Sequence, residues 1–299
     1  MKSAAALALA LLTGAAQAQT APSDLAYGAY QRGLFRTALS EALKRIAADP
    51  KDGAAMTLVG EITRDGAAVK QDVGEAAHWF KLADGLGDGQ GAFETGALLI
   101  AGAPGVPADR DAALAAFGRA AAKGVPQAYY NLAIAATQDK GQKPDFAKAA
   151  AFFRQGAEAG DAQSAYALGE LLREGQGVAK NPVEAARWLK VAADSRLVEA
   201  QVEFGIMLFN GEGVAPNEAE AAAYLRRAAG RHNAIAQNRL AHLYLSGRGV
   251  PKDMALAAAW GELARSAGLT DAGLDAGIGK LSPEDDHRAA QLIQAYAAF

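Results

Sequence analysis

The sequence predicts an all-α protein, a right-handed α-solenoid of tandem helix–turn–helix units. Three observations carry that prediction. The stretch "GQGVAKNPVEAARWLKVAA" at 175 returns as "GEGVAPNEAEAAAYLRRAA" at 211 and as "GRGVPKDMALAAAWGELAR" at 247, so both steps are 36 residues. Asp or Asn recurs where a helix would open, and a side-chain oxygen there satisfies free backbone amides. Glycine follows each helical run, at the position that favours left-handed backbone. Units of this kind bury their apolar faces by stacking on neighbours, which makes a solenoid.

In chain order, residues 1–18, "MKSAAALALALLTGAAQA", place Lys2 before an apolar run from Ala4 to Leu12 and end on Ala16-Gln17-Ala18. That is the layout of a signal peptide cut after Ala18, and its apolar run is too short to span a bilayer. The expectation is a periplasmic or secreted protein with no membrane span in the mature chain. The 299 residues include no cysteine, which excludes a disulfide framework, a lipid-modified cysteine and a thiol nucleophile. A formal net charge of −3 gives none of the basic footprint expected for nucleic acid.

Residues 19–51 read as an opening helical pair, with "AYGAYQRGLFRTALSEALKRIAADP" at 26–50 as a degenerate unit. Six units follow over 52–268. Behind the three clear ones the pattern blurs but persists, in "KGQKPDFAKAAAFFRQGAE" from 140, "GVPADRDAALAAFGRAAAK" from 105 and "GAAVKQDVGEAAHWFKLAD" from 66. One extra residue in "AGAPGV" explains a single 37-residue step. An aromatic anchor marks the series at Trp79, Phe152, Trp188, Tyr224 and Trp260, with Ala116 and the adjacent Phe117 in the remaining unit.

Within a unit, Asp52, Asp88, Asp161 and Asn233 open the first helix in four cases. Asp72, Asp109, Asp145, Asn181, Asn217 and Asp253 open the second. Glu75, Glu184 and Glu220 lie three residues beyond their caps, the spacing of a reciprocal capping box, and Pro182 suits a first turn. Gly175, Gly211 and Gly247 fit the left-handed C-terminal cap, and Gly177, Gly213 and Gly249 let the chain reverse. A dinucleotide loop would need a preceding strand and a third glycine. Here a helix precedes ("ALGELLRE", 167–174) and the third glycine is missing.

The "A-x-x-x-L-G" of the first helix, the "G-x-G-V-x-x-D/N" loop and the "A-A-x-W" of the second helix resemble the Sel-one-like repeat family, relatives of tetratricopeptide repeats. The resemblance covers the six units. It departs most in the second and third, where "QDKGQKPD" lacks the G-x-G-V loop and Ala116 replaces the aromatic. It implies a solenoid acting as scaffold, adaptor or regulator through protein contacts, often exported in bacteria and linked there to envelope signalling, polysaccharide production and host contact.

Residues 269–299 read as C-terminal capping helices. In "LSPEDDHRAAQLIQAYAAF", Ser282 caps, Pro283 takes the first turn, and Ala289, Leu292, Ile293 and Tyr296 form one apolar face.

No site chemistry emerges. His78, His232, His242 and His287 have no partners at metal-ligand spacing, and neither S-x-x-K nor G-x-S-x-G occurs, so no catalytic, cofactor or metal residue is assigned. Binding is the better prospect. While Ala200, Phe204, Met207 and Leu208 set one core face, a second row recurs at helical spacing on the first helices. Its candidate partner contacts are Phe93, Tyr130, Ile134, Tyr166, Glu170, Arg173 and Phe209. A helix apolar on two sides is usually sandwiched, so the row either packs neighbouring repeats or floors a concave groove for a protein or peptide. A carbohydrate or peptidoglycan module is the alternative function, with a hydrolase behind it. The sequence leaves the oligomeric state and the partner's identity open.

Overall fold

The computed structural model describes residues 24–138 and 143–297, so the signal peptide expected at 1–18 lies outside the described residues, as do residues 139–142 of the "QDKGQKPD" segment. The described residues form sixteen α-helices and no strand, an α-solenoid of helical pairs. An opening pair, α1 (Leu25–Gln31) and α2 (Phe35–Ala48), precedes the repeats. The six repeat pairs are α3 (Gly53–Asp65) with α4 (Val73–Gly85), α5 (Gly89–Ala101) with α6 (Arg110–Ala122), and α7 (Pro126–Thr137) with α8 (Phe146–Glu158). They continue as α9 (Ala162–Glu174) with α10 (Pro182–Asp194), α11 (Val198–Asn210) with α12 (Glu218–Ala229), and α13 (Ala234–Ser246) with α14 (Met254–Ser266). The short α15 (Ala272–Ile278) and α16 (Pro283–Ala297) close the far end.

Every second helix in the repeats opens on the expected Asp or Asn side chain. Asn181 Oδ1 accepts from the Glu184 amide at 3.1 Å and Asp253 Oδ1 from the Leu256 amide at 2.9 Å. The reciprocal half of the capping box is not made, and this corrects the expectation for Glu75, Glu184 and Glu220. The backbone N–H of each cap residue is already used. Asp72 donates to the Thr63 carbonyl (3.1 Å), Asn181 to Leu172 (2.8 Å) and Asn217 to Leu208 (2.8 Å). Asp109, Asp145 and Asp253 make the same bond to Leu99, Ala136 and Tyr244. These bonds satisfy carbonyls that the end of the first helix leaves unpaired. They also staple the two helices of each unit across the loop.

The loop glycines do more than reverse the chain. Gly213 has φ +67°, and a Cβ there would lie 2.0 Å from the Pro182 carbonyl oxygen at the start of α10. Only a residue without a side chain lets this loop sit on the preceding repeat. The unit with the 37-residue step closes differently, through paired backbone bonds of 2.8 Å between Ala103 and Val106.

Inside each pair, contact is closest where a small residue of the first helix meets a buried residue of the second. A Cβ on Gly60 would come within 2.5 Å of the Phe80 ring, on Gly96 within 2.7 Å of Phe117, and on Gly169 within 2.7 Å of Leu189. The last repeat departs from the arrangement, with Gly261 at the deep position of the second helix, where a Cβ would come within 3.1 Å of Leu274 from α15. Phe80, Phe117, Phe153, Leu189 and Leu225 are thus the most fully buried large side chains of their helices. The aromatic anchors sit one position earlier. Trp188, Tyr224 and Trp260 are buried, but Trp79 and Phe152 only half so.

Between units, Tyr129, Gln201 and Gln237 occupy one equivalent position. They donate to the carbonyls of Ala121, Ala193 and Ala229 at 3.0, 3.2 and 3.3 Å, at the end of the preceding helix. At the C-terminal end, Ala289 packs beside Ala255 and Ala259. Tyr296 stacks on Trp260 with ring centroids 4.4 Å apart, as the capping face predicted.

Candidate functional site

Within the repeats, α3 approaches α5 and α7 approaches α9 more closely than any second helix from α4 to α12 approaches the next. At these two steps the first helices lie on the inner side of the solenoid, and their side is its inner wall. The predicted row runs along this wall, and all seven candidate residues, Phe93, Tyr130, Ile134, Tyr166, Glu170, Arg173 and Phe209, are half-buried.

The apolar members lean inward. The Phe93 ring lies tilted on Phe117 at 5.7 Å between centroids, and Tyr130 lies on Phe153 at 5.7 Å. Phe209 is roofed by the Arg248 guanidinium, 4.1 Å above its ring, a geometry in which the cation meets the negative face of the π-system. Arg248 is itself held by Glu218, with Nε to Oε1 at 2.9 Å. These side chains spend one part of their surface on packing and leave another part on the wall. Packing and lining are one row.

The charged members bridge repeats. Arg64 donates to Glu94 Oε2 of the next unit at 2.5 Å and to its neighbour Asp65 Oδ1 at 2.8 Å. Three units on, Arg173 repeats the pattern with Glu203 Oε2 at 3.1 Å and Glu170 Oε2 at 2.7 Å. Thr57, from the same row, is buried and donates to Asp88 Oδ1 at 2.7 Å. In the last unit His242 Nε2 and Asn238 Nδ2 meet Asp271 Oδ2 at 2.8 and 3.1 Å. Asp271 caps α15, and these partners hold its carboxyl well below the usual range.

Burial shifts the acids of the wall the other way. It pushes the Glu61 carboxyl up to about 7, reinforced by the like charge of Glu94. It raises the Glu170 carboxyl as well, against the opposing pull of Arg173. The Tyr166 hydroxyl is pushed up to about 12, by burial first and then by Glu170 and Glu203.

One part of the site was not legible in the sequence. A cleft of about 560 Å³ opens where α1 meets the inner wall, lined by Tyr27, Tyr30, Thr57, Glu61, Arg64 and Gln90 among others. Tyr27 and Tyr30 stack at 6.5 Å between centroids, and the Tyr30 hydroxyl is raised by burial and by Glu61. The only sequence signal is the Tyr-x-x-Tyr spacing of α1, which says nothing about where that face docks.

Among the described residues, no group of three or more His, Asp or Glu side chains could hold a metal ion. None of these helices is long and apolar enough to cross a membrane.

Comparison with known proteins places this geometry. The family described as Sel1 repeat matches residues 53–83, 89–125, 126–161, 162–196, 198–232 and 234–269. Among solved structures, the chain is similar to c5321, described as a protective antigen present in uropathogenic Escherichia coli strains and displaying an SLR fold. Identity is 26%, the TM-score is 0.75 and 92% of this chain is covered. The chain spans 60% of the length of that antigen. A Sel1 repeat protein from Oxalobacter formigenes is similar at 27% identity with a TM-score of 0.70, over 81% of this chain and 98% of that one. No curated protein matches the chain.

Proposed function

The chain belongs to the Sel1 repeat family, whose members generally mediate contacts between proteins, and from that premise we propose that it is a non-catalytic interaction scaffold or regulator. It holds a protein or peptide partner along the inner wall, in the cell envelope or outside the cell. Export rests on the signal-peptide layout of residues 1–18. The observation that carries the binding reading is the half-buried row itself. Tyr130, Tyr166, Ile134, Phe93 and Phe209 keep part of their apolar surface on the wall after packing, at a spacing fixed by the repeat. Rigid display of such side chains lowers the ordering cost of association. A carbohydrate reading is less well supported, because Phe153 lies tilted against the Tyr130 ring at 5.7 Å between centroids and takes part of the surface on which a sugar would stack.

The test is crosslinking in intact cells with the full chain as bait and the Tyr130→Ala, Tyr166→Ala double variant as control. The expected outcome is one envelope protein captured by wild type and lost by the variant, with both chains giving the same helical circular dichroism. Capture that ignores the double substitution would remove the inner wall from the interface.

A further inference from the structure

We propose that the cleft at the N-terminal end of the inner wall receives a cationic side chain, Lys or Arg, of a bound polypeptide segment, with Glu61 as counter-charge and Tyr27 and Tyr30 as walls. This rests on reading the inner wall as the partner-binding face.

The argument starts from which charges in the cleft are already paired. Arg45 is held by Asp52 (2.8 Å from Nε) and by Asp24 (2.5 Å from Nη1). Arg64 is held by Asp65 and Glu94. Asp88 accepts from Thr57 and from the Gly91 amide at 2.6 Å, and Glu94 also accepts from Gln90 at 3.1 Å. Glu61 alone lines the cleft half-buried with no hydrogen bond or ion pair among the described residues. A half-buried carboxylate without a partner is costly, and an incoming ammonium or guanidinium removes that cost. The two tyrosine rings beside it offer faces on which a cation is further stabilised.

The charge distribution of the first five repeats agrees. The first helices α3, α5, α7, α9 and α11 together carry seven carboxylates and two guanidiniums. The second helices α4, α6, α8, α10 and α12 carry eight carboxylates and nine Lys or Arg side chains. The acidic excess thus lies on the inner wall, where a complementary partner would be basic. Three units on, Tyr166 stands beside Glu170, whose Oε2 is held by Arg173 at 2.7 Å while its Oε1 is buried without a hydrogen-bond partner. With neighbouring helices about 10 Å apart, the two positions are on the order of 30 Å apart, or about 9 residues of extended chain. Between them the wall is apolar, with Phe93, Tyr130 and Ile134. The fitting occupant is an extended segment with basic residues at its two ends and apolar ones between.

The experiment uses a labelled ten-residue peptide, Lys-(Ala-Leu)4-Lys, titrated by fluorescence anisotropy into the full chain. Glu-ended and Gln-ended versions serve as comparisons. The Lys-ended peptide is expected to bind at least about ten-fold more tightly than the Glu-ended one, and Glu61→Gln to remove about ten-fold of that affinity. Binding should also strengthen from about pH 6 to about pH 8 in wild type, as Glu61 ionises among Tyr27, Tyr30, Arg45, Arg64, Asp88 and Glu94, and lose that dependence in Glu61→Gln. Tyr27→Ala, at an exposed position, reads the same cleft should Glu61→Gln fold poorly. Equal binding of Lys-ended and Glu-ended peptides, or no effect of either substitution, overturns the proposal. If the Gln-ended peptide binds equally well and is lost in the Tyr130→Ala, Tyr166→Ala variant, the inner-wall reading stands and the cationic one falls. If no peptide binds, both fall.

Discussion

The fourth to sixth repeats and the second and third repeats reach the same architecture from different sequences. The later three carry the full glycine loop, with Gly175, Gly211 and Gly247 in the left-handed region, and their anchors Trp188, Tyr224 and Trp260 are buried. The second replaces the loop with the Ala103–Val106 bridge and its anchor with Ala116. The third leaves Phe152 half-buried, and its α7, like α11 of the fifth, has no side-chain cap. What survives in both groups is the bond from the cap amide to the first helix and, in every unit but the sixth with its Gly261, a large deep residue on the second helix facing a small one on the first. A solenoid repeat is defined by how its two helices meet, and its loop is one of several ways to close them.

The strongest way to break that comparison is to empty the deep position in one unit of each kind. Leu189→Ala in the fourth repeat and Phe153→Ala in the third each remove a side chain that is at most 3% exposed. Both should cost about 3 to 5 kcal/mol, through lost transfer energy and the cavity left behind. Urea unfolding followed by circular dichroism checks this. A much smaller loss at Phe153 would mean that the irregular units do not use the shared core. By the same logic, Trp188→Ala should cost more than Phe152→Ala, because only the first is buried.

Next in size is Gly213→Ala, in the loop that the second repeat replaces with the Ala103–Val106 bridge. The substitution adds the penalty of left-handed backbone for a non-glycine residue to a Cβ placed 2.0 Å from the Pro182 carbonyl oxygen. Together these should cost about 2 to 4 kcal/mol. The same measurement on Gly105→Ala, where no atom lies within 4 Å of the new Cβ, should show the backbone penalty alone, about 1 to 2 kcal/mol.

These contrasts explain how much could be read from the chain. Caps and loop turns were legible because few side chains can do those jobs, so Asp, Asn and Gly recur at fixed spacing. The half-buried row was legible from helical period. The deep position was not, because Phe80, Leu189 and Gly261 share no residue type and only their opposite partners explain them. The cleft was hidden for a different reason. Tyr27 and Tyr30 meet Glu61 through the docking of α1, whose unit does not follow the 36-residue step. No local pattern encodes that contact.

The inner wall offers a subtler comparison, between the charged position Glu61 in the first repeat and the apolar Ile134 at the equivalent place in the third. Burial raises the Glu61 carboxyl from an ordinary 4.5 to about 7. Between those values the folded state holds more of this proton than the unfolded chain does. Its contribution to stability therefore falls as pH rises through that window and is level above it. Glu61→Gln should remove the slope and stabilise the protein by up to about 1 kcal/mol at pH 8, after discounting for solvent screening. At pH 4 the two proteins should unfold alike. Urea titrations at the two pH values decide it, and a variant that is less stable at pH 8 would show that the charge has a favourable partner.

The smallest expected effect lies in the turn that leads from one repeat into the next. Gly87, Gly124, Gly160 and Gly268 occupy one equivalent position there with φ between +81° and +95°, but the fourth and fifth repeats place Arg196 and His232 at φ +66° and +62°. The more regular units thus carry the less comfortable turn. Left-handed backbone costs a non-glycine residue about 1 to 2 kcal/mol, part of which glycine gives back through the greater freedom of its unfolded chain. Arg196→Gly should then stabilise by about 0.5 kcal/mol. The bond that the Arg196 carbonyl accepts from Arg231 Nη1, at 2.7 Å, belongs to the backbone and stays. The reverse change, Gly160→Ala, meets no atom within 4 Å and should destabilise by about 1 kcal/mol. Opposite signs for the two substitutions would isolate backbone strain from packing. If Arg196→Gly destabilises instead, the arginine side chain contributes a contact across the turn that outweighs the strain, and the two non-glycine turns are reinforced positions of the solenoid.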